Sequence, residues 1–96
     1  DMPEFPEGDV KHYLAEHMRY PEEAKKQGVE GVVFVRFIIK PDGSLTDVKV
    51  LRPVHPLLDE EALRVVREMP RWKPGRQDGK PVRVFYSVPV EFRLDK

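Results

Sequence analysis

The chain has 96 residues, 40% of them apolar, and its 17 basic and 17 acidic side chains cancel to a formal charge of zero. One domain of this size buries only ~60–65% of its unfolded surface, enough for a single core but not for a deep catalytic cavity as well. Zero net charge removes the long-range field on which a general nucleic-acid binder relies, and the lack of cysteine excludes disulfides, thiol chemistry and zinc–thiolate sites.

The longest apolar run is four residues, 32–35, far short of the ~20 that a membrane helix needs. No signal peptide is visible and the chain opens on Asp1, so the expectation is a processed or excised soluble domain. Prolines are spread between patterned stretches and act as punctuation rather than as a disordered tract.

Residues 1–8 read as an irregular arm and 9–96 as the domain. Asp9 suits a helix start, and Val10, Tyr13, Leu14, His17 and Met18 repeat as one helical face, with His17 expected to be partly buried. Pro21 ends that helix and suits the first turn of another, with Glu22 and Glu23 at its positive end, Lys25 and Lys26 at its negative end, and Gly28 as its stop. Two short helices, 9–19 and 21–27, are therefore predicted, broken at Tyr20 and Pro21. Residues 32–39 are short, β-branched and aromatic, and predict a strand. Pro41, Asp42 and Gly43 supply a turn into a second strand over 45–51. Leu58, Ala62, Val65, Val66 and Met69 mark the face of a third helix, which Pro70 ends. Residues 70–81 read as loop. Strict alternation of Val82, Val84, Tyr86, Val88, Val90, Phe92 and Leu94 with more polar neighbours then predicts one long strand.

The order α-α-β-β-α-β predicts an α+β fold, a three-stranded antiparallel sheet with helices on one face. The first strand is apolar on both sides and belongs in the centre. The last contains Pro89, which lacks an N–H and is tolerated mainly at sheet edges, so the strand order is 2-1-3. If Pro89 avoids the central strand, odd residues turn their backbone groups outward, and Arg83, Phe85 and Ser87 form a free edge that Pro89 terminates; a bulge before Pro89 would shift this count. Such an edge is either protected, by Pro89, Arg83 and Arg93, or used to add a partner's strand.

Chemistry-bearing residues support no catalytic site. His12 and His17 are five apart rather than four, and His55 sits between prolines with no companion ligand, so no metal site is expected. Ser44, Thr46 and Ser87 lack a nucleophile-elbow setting. Asp59, Glu60 and Glu61 are accounted for by the positive end of a helix. Gly28 and Gly31 precede a strand, whereas a phosphate-cradling loop follows one, and no cofactor motif is present. Arg71, Lys73, Arg76 and Lys80 around Trp72 resemble a nucleic-acid patch; the plainer reading puts Trp72 in the core and the charges in water, with no nucleic-acid partner.

Several pieces together resemble the C-terminal domain of TonB-type energy transducers, over nearly the whole chain. They are Tyr20 and Pro21 followed by Ala24; Gly28, Val29, Glu30 and Gly31 running into the apolar strand; Pro41, Asp42 and Gly43; Asp59 with Ala62; Met69, Pro70, Arg71, Trp72, Lys73, Pro74 and Gly75; and Pro89, Val90, Glu91 and Phe92. Met2, Pro3, Glu4, Phe5 and Pro6 are similar to the lead-in of such domains in the Bacteroidetes lineage. The resemblance implies a noncatalytic, cofactor-free periplasmic domain whose parent is anchored in the inner membrane of a Gram-negative bacterium. It implies coupling to an ExbB–ExbD motor and a grip on the TonB box, a short extended segment of outer-membrane receptors for siderophores, vitamins or glycans. The grip is strand addition along the third strand, at Arg83, Phe85, Ser87 and Pro89, with Tyr20 and Pro21 placed either to touch the incoming segment or to set the inter-helix angle. Pairing of two copies through the same edge is the other use open to it. The same module also occurs appended to membrane-bound sensor metallopeptidases, which leaves a regulatory or interaction module of an envelope protein as the alternative.

Overall fold

The computed structural model describes residues 2–94; positions 1, 95 and 96 of the arm and domain assigned above lie outside the described residues. Asp9 caps α1 (Val10–His17) by accepting from the Lys11 N–H at 2.9 Å. The break at Tyr20 and Pro21 holds, with Pro21 at the N-cap of α2 (Glu22–Lys26). Strand β1 (Gly31–Ile39) turns into β2 (Leu45–Val50) and is followed by α3 (Pro56–Arg67). A hairpin of β3 (Gly75–Gln77) and β4 (Lys80–Val82) precedes β5 (Val84–Phe92).

The main sheet has the order β2-β1-β5, antiparallel throughout. On its helix-facing side Val33, Val35, Phe37, Ile39, Val88, Val90 and Phe92 join Leu14, Ala24, Leu58, Ala62, Val65, Val66 and Met69 in one core. Every residue predicted for the α3 face is in it. The opposite side carries no helix, and Phe34 and Phe85 stand exposed there.

Three sequence expectations need correction. The final strand is not continuous from 82 to 94: Val82 belongs to the separate β3–β4 hairpin, and Arg83 lies between β4 and β5. The stretch 70–81 is accordingly not all loop. Asp78 and Gly79 both take positive φ, 53° and 77°, the twist that a tight two-residue hairpin requires. His17 is exposed rather than partly buried, because its imidazole stacks on the outer face of Tyr13 with ring centroids 3.9 Å apart.

Two local devices fix how the elements meet. In α3 the N-cap is His55, whose Nδ1 accepts from the Leu57 N–H, while Asp59 accepts from the Val54 N–H at 3.1 Å. In the same acidic turn Glu61 takes two hydrogen bonds from Arg64 and one from the Arg19 N–H, tying the segment after α1 to α3. Burial pushes its carboxyl up, but the Arg64 and Arg19 hydrogen bonds outweigh it and hold the pKa below the ordinary value. The acidic turn is thus more than a response to the helix dipole.

The second device is Gly43, at φ 89°. Its carbonyl accepts from the Trp72 N–H at 2.9 Å, and a Cβ here would stand 2.1 Å from the Trp72 carbonyl oxygen. Gly43→Ala is expected to cost more than ~2 kcal/mol, since a strained φ alone costs ~1–3 and the backbone collision adds to it. Urea unfolding measures this; an unchanged midpoint would show that the 40s turn and the Trp72 segment are not in contact.

Candidate functional site

Of the residues singled out in sequence, Phe85, Ser87 and Pro89 lie along β5. Pairing of β1 with β5 runs unbroken from Gly31 opposite Phe92 to Ile39 opposite Val84, so no bulge disturbs the count before Pro89. Phe34 is the partner of Pro89, and the Phe34 carbonyl accepts from the Leu51 N–H at 2.9 Å. In an antiparallel strand the N–H and C=O of one residue point the same way. Phe34 therefore faces β2, and Pro89 opposite it exchanges no bond with β1. With the period of two, the backbone groups of Phe85, Ser87 and Glu91 also turn away from β1.

Glu91 extends the row past Pro89; the same parity rule applied one step further would have found it. Arg83 stands at the start of the row, outside β5 itself. The side chain of Phe85 is 67% exposed on the helix-free face, with the Arg36 guanidinium 5.4 Å from its ring centroid. At the other end of β5, the Tyr20 ring meets Phe92 edge-on at 5.5 Å, and its hydroxyl donates to the Val29 carbonyl. Tyr20 thus links the helix break to the sheet, and Pro21 is half-buried next to it in sequence.

The remaining motif residues are structural supports. Trp72 is 4% exposed, with its ring against Phe5, Phe37 and Tyr86 at centroid distances of 5.2, 5.7 and 4.9 Å. That burial takes the aromatic ring out of any surface patch with Arg71, Lys73, Arg76 and Lys80 and agrees with the core reading. Pro70 follows the last turn of α3, Pro74 and the buried Gly75 lead into β3, Gly31 opens β1, and Asp42 accepts from the Ser44 N–H and hydroxyl to close the 40s turn. The arm packs as well: Glu4 and Lys73 exchange backbone hydrogen bonds, and Phe5 covers Trp72. Among the described residues no group of three or more metal-ligating side chains assembles, and no helix is long and apolar enough to cross a membrane.

These features define a small α+β domain whose last strand lies at one rim of the sheet with no bulge in its pairing to β1. A family model for the Gram-negative bacterial TonB protein C-terminal matches residues 16–94, and the chain belongs to that family, which is noncatalytic. It is 32% identical over 86 residues to the TonB protein of Helicobacter pylori (strain ATCC 700392 / 26695), covering 88% of this chain and 29% of that protein. It is 29% identical over 90 residues to the TonB protein of Pseudomonas aeruginosa, covering 94% of this chain and 26% of that protein. The chain thus spans less than a third of these relatives' length. The solution structure of the H. pylori TonB C-terminal domain superposes with a TM-score of 0.68 at 28% identity, over 96% of this chain and 90% of that one. The P. aeruginosa domain gives 0.67 at 30%, over 85% and 83%.

Proposed function

We propose that this domain is the periplasmic coupling module of a TonB-type energy transducer. It holds the TonB box of an outer-membrane receptor as a fourth strand on β5, and transmits to it the pull of an ExbB–ExbD motor driven by the proton gradient, opening the receptor for nutrient uptake. The observation that carries this reading is the outward row of backbone groups at Phe85, Ser87 and Pro89. Family membership supports it independently.

Main-chain pairing suits such a task. Each hydrogen bond contributes only ~0.5–1.5 kcal/mol net, so the grip stays reversible, yet a pull along the strand loads several bonds together. Backbone recognition also tolerates receptors of different sequence. Arg83 and Phe85 flank the guest on the helix-free face, and Tyr20 with Pro21 lies near its other end.

Titrating the ¹⁵N-labelled domain with a TonB-box peptide tests this. The largest amide shifts are expected at Phe85, Ser87 and Glu91, with smaller ones along β1. Shifts concentrated on β2, or on the face around Phe34 and Leu51, would overturn the assignment of the edge.

A further inference from the structure

Beside the free rim of β5 lies a cleft of about 100 Å³ between that strand and α1. Leu14, Ala15, Met18, Pro89 and Val90 line it together with the charged Lys11 and Glu91. Leu14 and Val90 are each 1% exposed, so the floor is closed hydrocarbon. Ala15 is exposed, and its lack of a longer side chain leaves the cleft open.

The register of β5 fixes what meets this cleft. Its even residues face the helices and its odd residues face the open side, as the burial of Val88 and Val90 and the exposure of Phe85, Ser87 and Glu91 record. A strand bonded to the odd residues alternates in step. Guest residues opposite Ser87 and Glu91 point to the open side. The guest residue opposite Val90 points to the helix side, where α1 stands.

We propose that the α1–β5 cleft is a side-chain pocket that selects one small aliphatic residue in the added strand. This rests on the strand-addition reading and adds a sequence preference to it. The volume sets the size: a cavity that takes an aromatic ring is about 150 Å³, so a valine-sized group fits here and a phenyl ring does not. Leu14, Met18 and Val90 set the preference for an apolar group, because a polar group pressed against them loses its water.

The test uses a TonB-box peptide in which each position in turn carries Ala, Val or Phe, titrated against the wild-type domain and Ala15→Leu. Leucine suits an exposed helical position, and a thermal melt confirms that the variant folds. One position, of helix-facing parity, should favour Val over Ala about tenfold in Kd, as expected for two buried methyl groups, and should disfavour Phe. In Ala15→Leu the preference for Val should fall below twofold, while the Ala-bearing peptide still shifts the Phe85 and Ser87 amides. An equal Val-to-Ala ratio in both proteins, or no position with a preference, rejects the pocket while the edge shifts keep strand addition standing. No edge shift with any peptide in the wild-type domain rejects both.

Discussion

Trp72→Ala is expected to lower unfolding stability by ~3–5 kcal/mol, the range for a buried large aromatic. The ring is the hub on which Phe5 of the arm, Phe37 of β1 and Tyr86 of β5 meet, and its backbone N–H holds the 40s turn through Gly43. Removing it opens a cavity where no single element can collapse inward. A companion variant separates volume from polarity. The Trp72 indole N–H is buried with no hydrogen-bond partner among the described residues, so Trp72→Phe sheds an unsatisfied donor, which offsets part of the lost volume. It should cost markedly less than the alanine change. Chemical denaturation of both gives the comparison; a loss under ~1 kcal/mol for alanine would remove Trp72 from the core.

A pair of prolines tests the rim of β5. Phe85 is paired with Ile38 without bonding to β1, whereas Val84 is paired with Ile39 on the bonded side. Phe85→Pro should leave the fold intact, losing only an exposed side chain and its Arg36 contact, of the order of ~1 kcal/mol. It should nevertheless abolish binding of a TonB-box peptide, since a donor is lost and the pyrrolidine ring occupies the guest's place. Val84→Pro removes a bond within the sheet and should destabilise the domain by a larger margin. Thermal melts in the opposite order would show that the outward row is the even one.

Much of this was legible because it depends on period and on single constrained residues. Alternation in 84–92, the apolar face of α3 and the missing N–H of Pro89 place the sheet order and its open rim without any knowledge of contacts. What escaped was set by exposed or tertiary features. The β3–β4 hairpin has a strong turn signal in Asp78 and Gly79, but its flanks, Arg76, Gln77, Lys80 and Pro81, are exposed, so no apolar alternation announces a strand. Asp47 adopts φ 53° in β2 without a glycine to betray it. It stands with Val48 opposite the single residue Phe37, where the register shifts between Arg36 and Ile38. The exposure of His17 and the cleft beside Ala15 depend on where α1 comes to rest against β5, which spacing within one helix does not encode.

The irregularity at Asp47 makes the two margins of the sheet unequal. β2 is short, kinked, and carries exposed Asp47 and Lys49, all of which discourage another chain from aligning with it. A sheet receptive on both sides can recruit copies one after another and grow without limit. On the strand-addition reading proposed above, β5 is the receptive side, so a bound strand consumes it and growth stops at one guest per domain or one closed pair.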